Sequence, residues 1–219
     1  ESGRSGAVPV RVGRDRGPRV ARAGDLIINW GCSQSLHQHV PGVRYLNHPV
    51  LVSTKQSKLQ QYRKFAAAGV PTLEFCGPDS NDYRAWLEDG YKVYMRKADS
   101  FGGRGIEIIE PDVNNPDGTR LPFDWDATGT KVFTKEFNAL REYRVHVFNG
   151  QIIDTTQKRR RNGTQKSDVR SWGNGYVFCH DDVTPLHETA KQASIAAVAA
   201  LGLDFGGVDI LVKRDGTCA

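Results

Sequence analysis

The sequence has few of the features that mark secreted, disulfide-rich or membrane proteins. Its 219 residues include four cysteines and one methionine, and no two cysteines form a Cys-x-x-Cys pair. That spacing supports neither a zinc ribbon nor a small disulfide-stabilised fold, and it favours a reducing cytoplasm. The longest weakly polar stretch, 195–203, is too short and too rich in alanine to span a bilayer. We therefore expect no membrane partner.

Motifs of several common enzyme classes are also missing. The sequence contains no Gly-x-Ser-x-Gly nucleophile motif, and no Gly-Lys-Ser/Thr follows its glycine-rich stretch. The histidines lack the spacing of a metal site, since His37 and His39 are two residues apart and His146 lies in a predicted strand. We assign these histidines no role.

Positive charge dominates what is present. Thirty lysines and arginines face 25 acidic residues, and 38% of the chain is apolar, enough for a buried core and for one domain or two. Residues 1–24 contain six arginines without the apolar run of a signal peptide, which predicts a solvated, partly disordered arm. The basic balance suits nucleic acid or a small anionic ligand such as a nucleotide.

The hydrophobic pattern predicts a mixture of strands and helices. Ser53 and Gln56 have the spacing of a capping box for a helix that Gly69 ends, and Asn149-Gly150 is a hairpin signal. Stretches 111–130 and 159–175 are predicted to be irregular, the second as a basic loop. The predicted strands are 25–30, 44–46, 92–97, 106–110, 131–137, 142–148, 151–158 and 205–213, and the other helices are 83–87 and 184–201.

A second hairpin signal, Asp215-Gly216, is followed by only three residues. An apolar strand that lacks its return strand leaves an unpaired edge, which folded domains avoid. We therefore expect the natural chain to continue past Ala219.

A glycine-rich loop between two predicted strands, 100–105, is a candidate phosphate site. Its glycines allow backbone N–H groups to approach phosphate oxygens, and Arg96, Lys97 and Arg104 add positive charge. Glycines between two strands more often serve the turn itself, so the loop alone is weak support for a ligand.

Three further groups of polar residues have both a binding and a structural interpretation. Glu142 and Arg144 share one face of a strand, as ligand contacts or as a surface ion pair. The basic run 158–161 suits a triphosphate, a nucleic acid or a solvated loop. A carboxylate at Asp209, inside an apolar strand, must be paired, hydrogen-bonded or bound to a metal.

Taken in order, these segments resemble an ATP-grasp ligase. The resemblance is to the carboxylate–amine branch that includes the enzymes adding glutamate to a ribosomal protein, and ATP-grasp proteins found in phage genomes are particularly similar. It runs from about Asp25 to the end. The matching elements are Ile28-Asn-Trp-Gly31, Asn47-His-Pro49, Ser57-Lys-Leu59, Val93-Tyr-Met-Arg96, Phe101-Gly-Gly-Arg-Gly-Ile106, Lys135-Glu-Phe137, Glu142-Tyr-Arg144 and the stretch from Leu201 to Leu211.

This resemblance implies an α+β protein of ATP-grasp fold that holds a nucleotide between two α+β subdomains. The implied division is a basic arm at 1–24, a small N-terminal pre-ATP-grasp portion at 25–55, a small subdomain with a glycine-rich lid at 56–130, and a C-terminal subdomain at 131–219.

The resemblance also implies roles for individual residues. Arg96 aligns with the lysine that contacts the nucleotide phosphates in this family. Lys97 is the second choice for that contact, although strand alternation points its side chain to the other face. The implied ATP-binding residues are Lys58, Arg96, Lys97, Gly102, Gly103, Arg104, Gly105, Ile106, Lys135, Glu136, Phe137 and Glu142. Arg144, Lys158 and Arg170 are implied to face the triphosphate and the acyl phosphate, and Asp209 is implied to bind Mg²⁺.

The implied activity is an ATP-dependent ligation of a carboxylate to an amine through an acyl phosphate. The implied partners are an acid and an amino acid, peptide or protein end, in the cytoplasm, or the host cytoplasm for a phage protein. The alternatives are a nucleotide-binding protein without ligase activity and a basic nucleic-acid-binding module. Two departures stand out, because Arg96 replaces the usual lysine and the family's Glu-x-Asn metal pair would fall beyond Ala219.

Overall fold

The computed structural model describes residues 23–29, 42–48, 51–52, 57–97, 105–111 and 131–219. Several predictions lie outside these residues. They are the basic arm up to residue 22, the capping pair Ser53 and Gln56, the glycine loop with Gly102, Gly103 and Arg104, and the irregular stretch 112–130.

The described residues form ten strands and three helices. The helices are α1 (Lys58–Ala67), α2 (Asp82–Glu88) and α3 (Glu188–Ala200). The strands are β1 (Leu26–Ile28), β2 (Arg44–Leu46), β3 (Phe75–Cys76), β4 (Val93–Lys97), β5 (Ile106–Ile109), β6 (Lys131–Lys135), β7 (Arg141–Phe148), β8 (Gln151–Arg160), β9 (Tyr176–Cys179) and β10 (Phe205–Val212).

The strands form three sheets. Strands β1 and β2 pair in parallel. The first antiparallel sheet has the order β3-β6-β4-β5, and the second has the order β10-β7-β8-β9. Antiparallel sheets can be apolar on one face and polar on the other, and the second sheet follows this pattern along β7.

Strand β4 shows this alternation in the first sheet. Val93 and Met95 are buried in a cluster with Trp86 of α2 and Phe133 of β6. Successive side chains point to opposite faces, so Tyr94 and Arg96 lie on the other side of the sheet.

The second sheet buries one face against α3. Tyr143, Val145 and Val147 of β7 pack with Ala190 and Ala193, whose small side chains let the helix approach the sheet closely. The opposite face of β7 carries polar residues and remains accessible. Among the described helices, none has the length and apolar character needed to cross a membrane.

A buried asparagine joins the N-terminal sheet to the second antiparallel sheet. The Asn47 side chain accepts hydrogen bonds from the backbone N–H groups of Asp204 (2.8 Å) and Phe205 (3.1 Å), and its amide donates to the Phe205 carbonyl (2.8 Å). Its backbone N–H donates to the Asp204 carboxylate at 2.6 Å. Asn47 has a φ of +58°, which asparagine tolerates better than most residues.

Most predicted elements are confirmed, including both turns. Asn149 and Gly150 have φ values of +46° and +72°, the left-handed pair that a tight hairpin requires. After the Asp215-Gly216 turn, Ala219 exchanges two backbone hydrogen bonds with Leu211, so the edge of β10 that we expected to be unpaired is paired there. Continuation past Ala219 stays a prediction.

Several elements differ from prediction, and β3 was not predicted. The N-cap of α1 is Ser57, whose hydroxyl accepts from the Gln60 N–H at 3.3 Å. Helix α3 begins at Glu188 instead of residue 184, because the backbone of its N-cap residue His187 is extended (φ −62°, ψ 145°). The Thr184 N–H donates to the Gln157 side chain. Strand β8 continues to Arg160, and β9 and a short 3₁₀ turn at Trp172–Asn174 lie within the predicted basic loop or just after it.

We predict that Asn47→Ala destabilises the protein by about 1–3 kcal/mol, because it leaves two backbone N–H groups without their acceptor. Urea unfolding measures the change. Asn162→Ala, in an exposed turn, is the control and should change the free energy of unfolding by less than about 0.5 kcal/mol. Equal stability of the two variants would show that the Asn47 junction does not hold the sheets together.

Candidate functional site

A cleft of about 1480 Å³ is lined by residues of both antiparallel sheets. Its walls come from α1, β4, the β6–β7 linker and strands β7 to β10. Among the residues that the structure describes, eight lysines and arginines line it, against four acidic residues. An excess of fixed positive charge in a concave site favours an anionic ligand.

On the face of the second sheet that lines the cleft, residues paired across neighbouring strands form three rows. The first row contains Leu211, Glu142, Lys158 and Phe178. The second row contains Asp209, Arg144 and Thr156. The third row contains Gly207, His146 and Asp154.

The first row holds a shielded ion pair. The Lys158 ammonium donates to the Glu142 carboxylate, and the two side chains are only 13% and 11% exposed. The ammonium also lies 5.2 Å from the centre of the Phe178 ring. A pair removed from water in this way is costly to break, because the remaining charge loses its partner.

The second row holds a bidentate pair. Arg144 donates two hydrogen bonds of 2.8 Å to the two oxygens of Asp209, and this raises the pKa of Arg144. The guanidinium lies 4.5 Å from the Phe178 ring centre. Asp209 is half-exposed, and a carboxylate with two accepted hydrogen bonds has lone pairs left for a metal ion. Among the described residues, no cluster of three or more potential metal ligands is present.

The third row holds a histidine–aspartate pair. The His146 Nδ1 atom lies 3.0 Å from the Asp154 carboxylate. His180 approaches the other oxygen of that carboxylate at 3.6 Å. Sequence reasoning gave His146 no role, and the structure places it in the wall of the cleft, two residues from Arg144.

Arg96 and Lys58 supply the opposite wall. The Arg96 Nε atom is buried and has no hydrogen-bond partner among the described residues. Burial lowers the pKa of Lys58, and the nearby Arg96 charge lowers it further, while Asp209 acts in the opposite direction. A bound anion would supply a hydrogen-bond acceptor to the Arg96 guanidinium, and it would offset the repulsion between Arg96 and Lys58.

Residues of the β6–β7 linker close one end of the cleft. The Lys135 ammonium donates to Glu74 at 3.1 Å and lies 4.1 Å from the Tyr91 ring centre, which draws it toward the rim. The Phe137 ring lies 4.6 Å from the Lys213 ammonium. Arg170, in the loop between β8 and β9, donates to the Ala139 carbonyl at 2.9 Å. This hydrogen bond connects that loop to the β6–β7 linker.

The predicted basic loop is held in place by specific contacts. Asp168 accepts from Lys92 at 3.0 Å, and the Arg161 N–H donates to the Gly175 carbonyl at 2.8 Å. The basic run also does not form one patch. Lys158 faces the cleft, Arg159 donates to the Asp182 carbonyl, and Arg161 lies 5.0 Å from the Trp172 ring centre.

Most of the described residues that the resemblance singled out line the cleft. They are Lys58, Arg96, Ile106, Lys135, Glu136, Phe137, Glu142, Arg144, Lys158, Arg170 and Asp209. Gly105 and Lys97 do not line it. The assignment of Lys97 is corrected by strand alternation, which places this exposed residue on the side of β4 opposite Arg96.

Tyr94, His146 and Phe178 are among the cleft residues to which sequence reasoning gave no site role. The position of Tyr94, two residues before Arg96 on the same strand, was a usable signal. The alternation in β7 that linked Glu142 to Arg144 also extends to His146. Phe178 lies in β9, which was not predicted although Tyr176 to Phe178 are β-branched or aromatic.

No protein-family model matches the sequence. The chain is 25% identical over 188 residues to beta-citrylglutamate synthase B of Danio rerio, which covers 83% of this chain and 44% of that protein. It is 21% identical over 206 residues to a probable alpha-L-glutamate ligase 2 of Hahella chejuensis, with 90% and 64% covered. The chain thus spans about half the length of the first of these relatives and less than two thirds of the second.

Solved structures show the same fold. The ATP-grasp ligase PsnB, solved with a minimal precursor, Mg and ADP, matches with a TM-score of 0.57 at 17% identity, covering 81% of this chain and 52% of PsnB. D-alanine–D-alanine ligase of Bacillus anthracis matches with a TM-score of 0.57 at 16% identity, covering 78% and 57%. The predicted α+β ATP-grasp fold is confirmed.

We predict that Glu142 and Lys158 are energetically coupled. Glu142→Gln or Lys158→Met alone should lower the free energy of unfolding by about 3–5 kcal/mol, because each leaves a shielded charge unpaired, and the double variant should recover much of the loss. Urea unfolding of the four proteins gives the coupling energy.

The exposed pair Lys191 and Glu188, 3.1 Å apart, is the matched control for this cycle. Its coupling should lie within experimental error, because water screens both charges. Additive effects of the Glu142 and Lys158 substitutions would contradict the interpretation of a shielded pair.

Proposed function

From an ATP-grasp fold with a cation-rich cleft between its two antiparallel sheets, we propose that the chain is the nucleotide-binding part of an ATP-dependent carboxylate–amine ligase. The observation that carries the proposal is Arg96, whose side chain lines the cleft and whose buried Nε atom has no hydrogen-bond partner among the described residues. Phosphate oxygens are strong acceptors for a guanidinium, and nucleotide binding would satisfy this nitrogen.

In the proposed complex the triphosphate lies between the two sheets. Arg96 and Lys58 bind phosphate oxygens from the first sheet and α1, with the loop from Gly102 to Ile106 as a lid. Adenine lies along the linker at Lys135, Glu136 and Phe137. Glu142 holds the ribose, which requires an exchange of partners with Lys158. The support is that the described members of this set, apart from Gly105, line one cleft.

The proposed reaction has two transfers. A substrate carboxylate oxygen attacks the terminal phosphorus of ATP, and ADP leaves. An amine nitrogen then attacks the acyl carbon, and inorganic phosphate leaves with the electrons of the broken C–O bond. Arg144, Lys158 and Arg170 stabilise the negative charge that moves through these steps, and electrostatic stabilisation of this kind is the main tool for phosphoryl transfer.

We propose an acidic amino acid such as glutamate as the amine substrate. Both named relatives carry glutamate in their names, and the excess of cations in the cleft suits substrates with several carboxylates. Citrate, part of the name of the first relative, is the corresponding choice of acid for an initial assay.

We propose Mg²⁺ as the metal that accompanies ATP, with Asp209 as one ligand. Magnesium bound to nucleotide phosphates usually takes one or two carboxylates and completes its shell with water and phosphate oxygens. The lone pairs that Asp209 retains beside Arg144 fit that role. When bound, the ion would neutralise phosphate charge.

The division at 25–55, 56–130 and 131–219 is also a proposal. The two separate antiparallel sheets support two subdomains, although β6 (Lys131–Lys135) pairs with β3 and β4, so the first sheet continues past residue 130. The likeness to phage ATP-grasp proteins supports a phage origin, and with it action in the host cytoplasm. Neighbouring genes of phage type at the encoding locus are the expected finding, and a chromosomal locus without them would contradict the phage origin.

We predict that the chain binds ATP, and that Arg96→Ala weakens this binding roughly 10- to 150-fold, the equivalent of a charge-assisted hydrogen bond. Titration calorimetry with a non-hydrolysable ATP analogue, with and without Mg²⁺, measures the affinity. Lys97→Ala is the matched control. It removes a charge from the next residue of the same strand, on the opposite face, and should change the affinity by less than about twofold.

Turnover tests the second half of the proposal. ADP release that requires citrate, followed by amide formation with glutamate, is the expected result. Nucleotide binding without ADP release, whether citrate or glutamate is present, would favour a nucleotide-binding protein without ligase activity. Salt-dependent binding of nucleic acid without affinity for ATP would overturn the proposal.

A further inference from the structure

His146 has a fixed tautomer in this structure. A carboxylate only accepts hydrogen bonds, so the Nδ1 atom, 3.0 Å from the Asp154 oxygen, must carry the hydrogen. The Nε2 atom of a neutral imidazole then has a free lone pair. This pairing of a histidine with an orienting carboxylate is the arrangement that general bases use.

Gly207 leaves room beside the Nε2 edge of the ring. A Cβ atom on Gly207 would lie 3.3 Å from the His146 Cδ2 atom and 3.4 Å from Nε2. These distances are tighter than ordinary side-chain contacts. The glycine therefore lets the imidazole lie over β10, with its side chain 31% exposed.

The position of His146 relative to Arg144 is set by β7. The two residues are two positions apart on the same face, and strand geometry separates them by about 7 Å along the chain. Among the described residues, the charged and titratable groups around His146 are Arg144 on its own strand, Asp154 on β8, and His180 on the far side of Asp154. Strand β10 presents Gly207 there, with no titratable side chain.

We propose that His146 is the general base of the amide-forming step and that Asp154 positions it. This inference rests on the proposed function. An amino group is protonated at neutral pH and has no lone pair for attack. His146 Nε2 accepts one proton from the ammonium, and the freed lone pair forms the bond to the acyl carbon. Phosphate leaves with the electrons of the C–O bond and takes the second proton from the nitrogen. Arg144, one row away, faces the acyl phosphate.

Two nucleophiles, glutamate and hydroxylamine, serve as probes that separate the amide-forming step from the formation of the acyl phosphate. Glutamate needs a base, whereas hydroxylamine is largely unprotonated at neutral pH and traps the acyl phosphate directly as a hydroxamate. With ATP and citrate as the other substrates, His146→Gln should reduce amide formation by about 10²- to 10⁴-fold, the usual contribution of a general base. Hydroxamate formation should change by less than about threefold.

Asp154→Asn tests the positioning role. The asparagine amide can donate to Nδ1 and so favours the tautomer with hydrogen on Nε2, which is no longer a base. Amide formation should fall toward the rate of His146→Gln, whereas hydroxamate formation should change by less than about threefold. His187→Gln, an exposed histidine that contacts Thr189 near the start of α3, is the control and should leave both rates unchanged.

Two outcomes would overturn the assignment. One is amide formation by His146→Gln within threefold of the parent rate, and the other is an equal loss of hydroxamate formation. A parent protein that forms neither product and releases no ADP would instead contradict the proposed function.

The tautomer provides a test that needs no turnover. Nitrogen-15 spectra of the imidazoles should show hydrogen on Nδ1 of His146 in the parent protein and on Nε2 in Asp154→Asn. Hydrogen on Nε2 of His146 in the parent protein would overturn the proposal whatever the activity.

Discussion

The register of β7 with β10 and β8 is the constraint on which the cleft depends. It sets Asp209 opposite Arg144, and Lys158 opposite Glu142. A shift by one residue would turn every polar side chain of β7 into the core and expose Val145 and Val147. The packing of α3 against the apolar face therefore fixes the chemistry of the polar face, although the helix itself contributes little charge to the cleft.

The charges of the cleft fall into two groups. On the second sheet, Arg144 and Lys158 are matched by carboxylates on neighbouring strands, so these cations are oriented before any ligand arrives. On the opposite wall, which Arg96 of β4 and Lys58 of α1 supply, burial and the Arg96 charge both disfavour the protonated form of Lys58. An incoming polyanion relieves this repulsion, so electrostatics favours entry against Arg96 and Lys58.

How much of the fold and of the site could be predicted depends on the distance along the chain over which each sequence pattern acts. Period-two alternation and turn residues act locally, and they predicted β2, β7 and the Asn149-Gly150 hairpin at or within one residue of their observed bounds. The start of α3 was missed because the chain stays extended as far as His187, and the segment before the helix contacts Gln157 through Thr184, 27 residues away, which local patterns do not display. The side-chain partners of Asp209 and His146 likewise depend on cross-strand pairing, which the sequence does not display.

The same distinction explains why Asp209 was recognised as a special position and His146 was not. A carboxylate in an apolar strand conflicts with its surroundings, and that conflict is visible in the sequence. A histidine in a strand of mixed polarity conflicts with nothing. Its significance arises only from a carboxylate across the hairpin and a glycine on the opposite neighbour, residues that lie 8 and 61 positions away. Binding sites built from charge are therefore easier to locate from sequence than proton-transfer sites, which depend on the orientation of neutral groups.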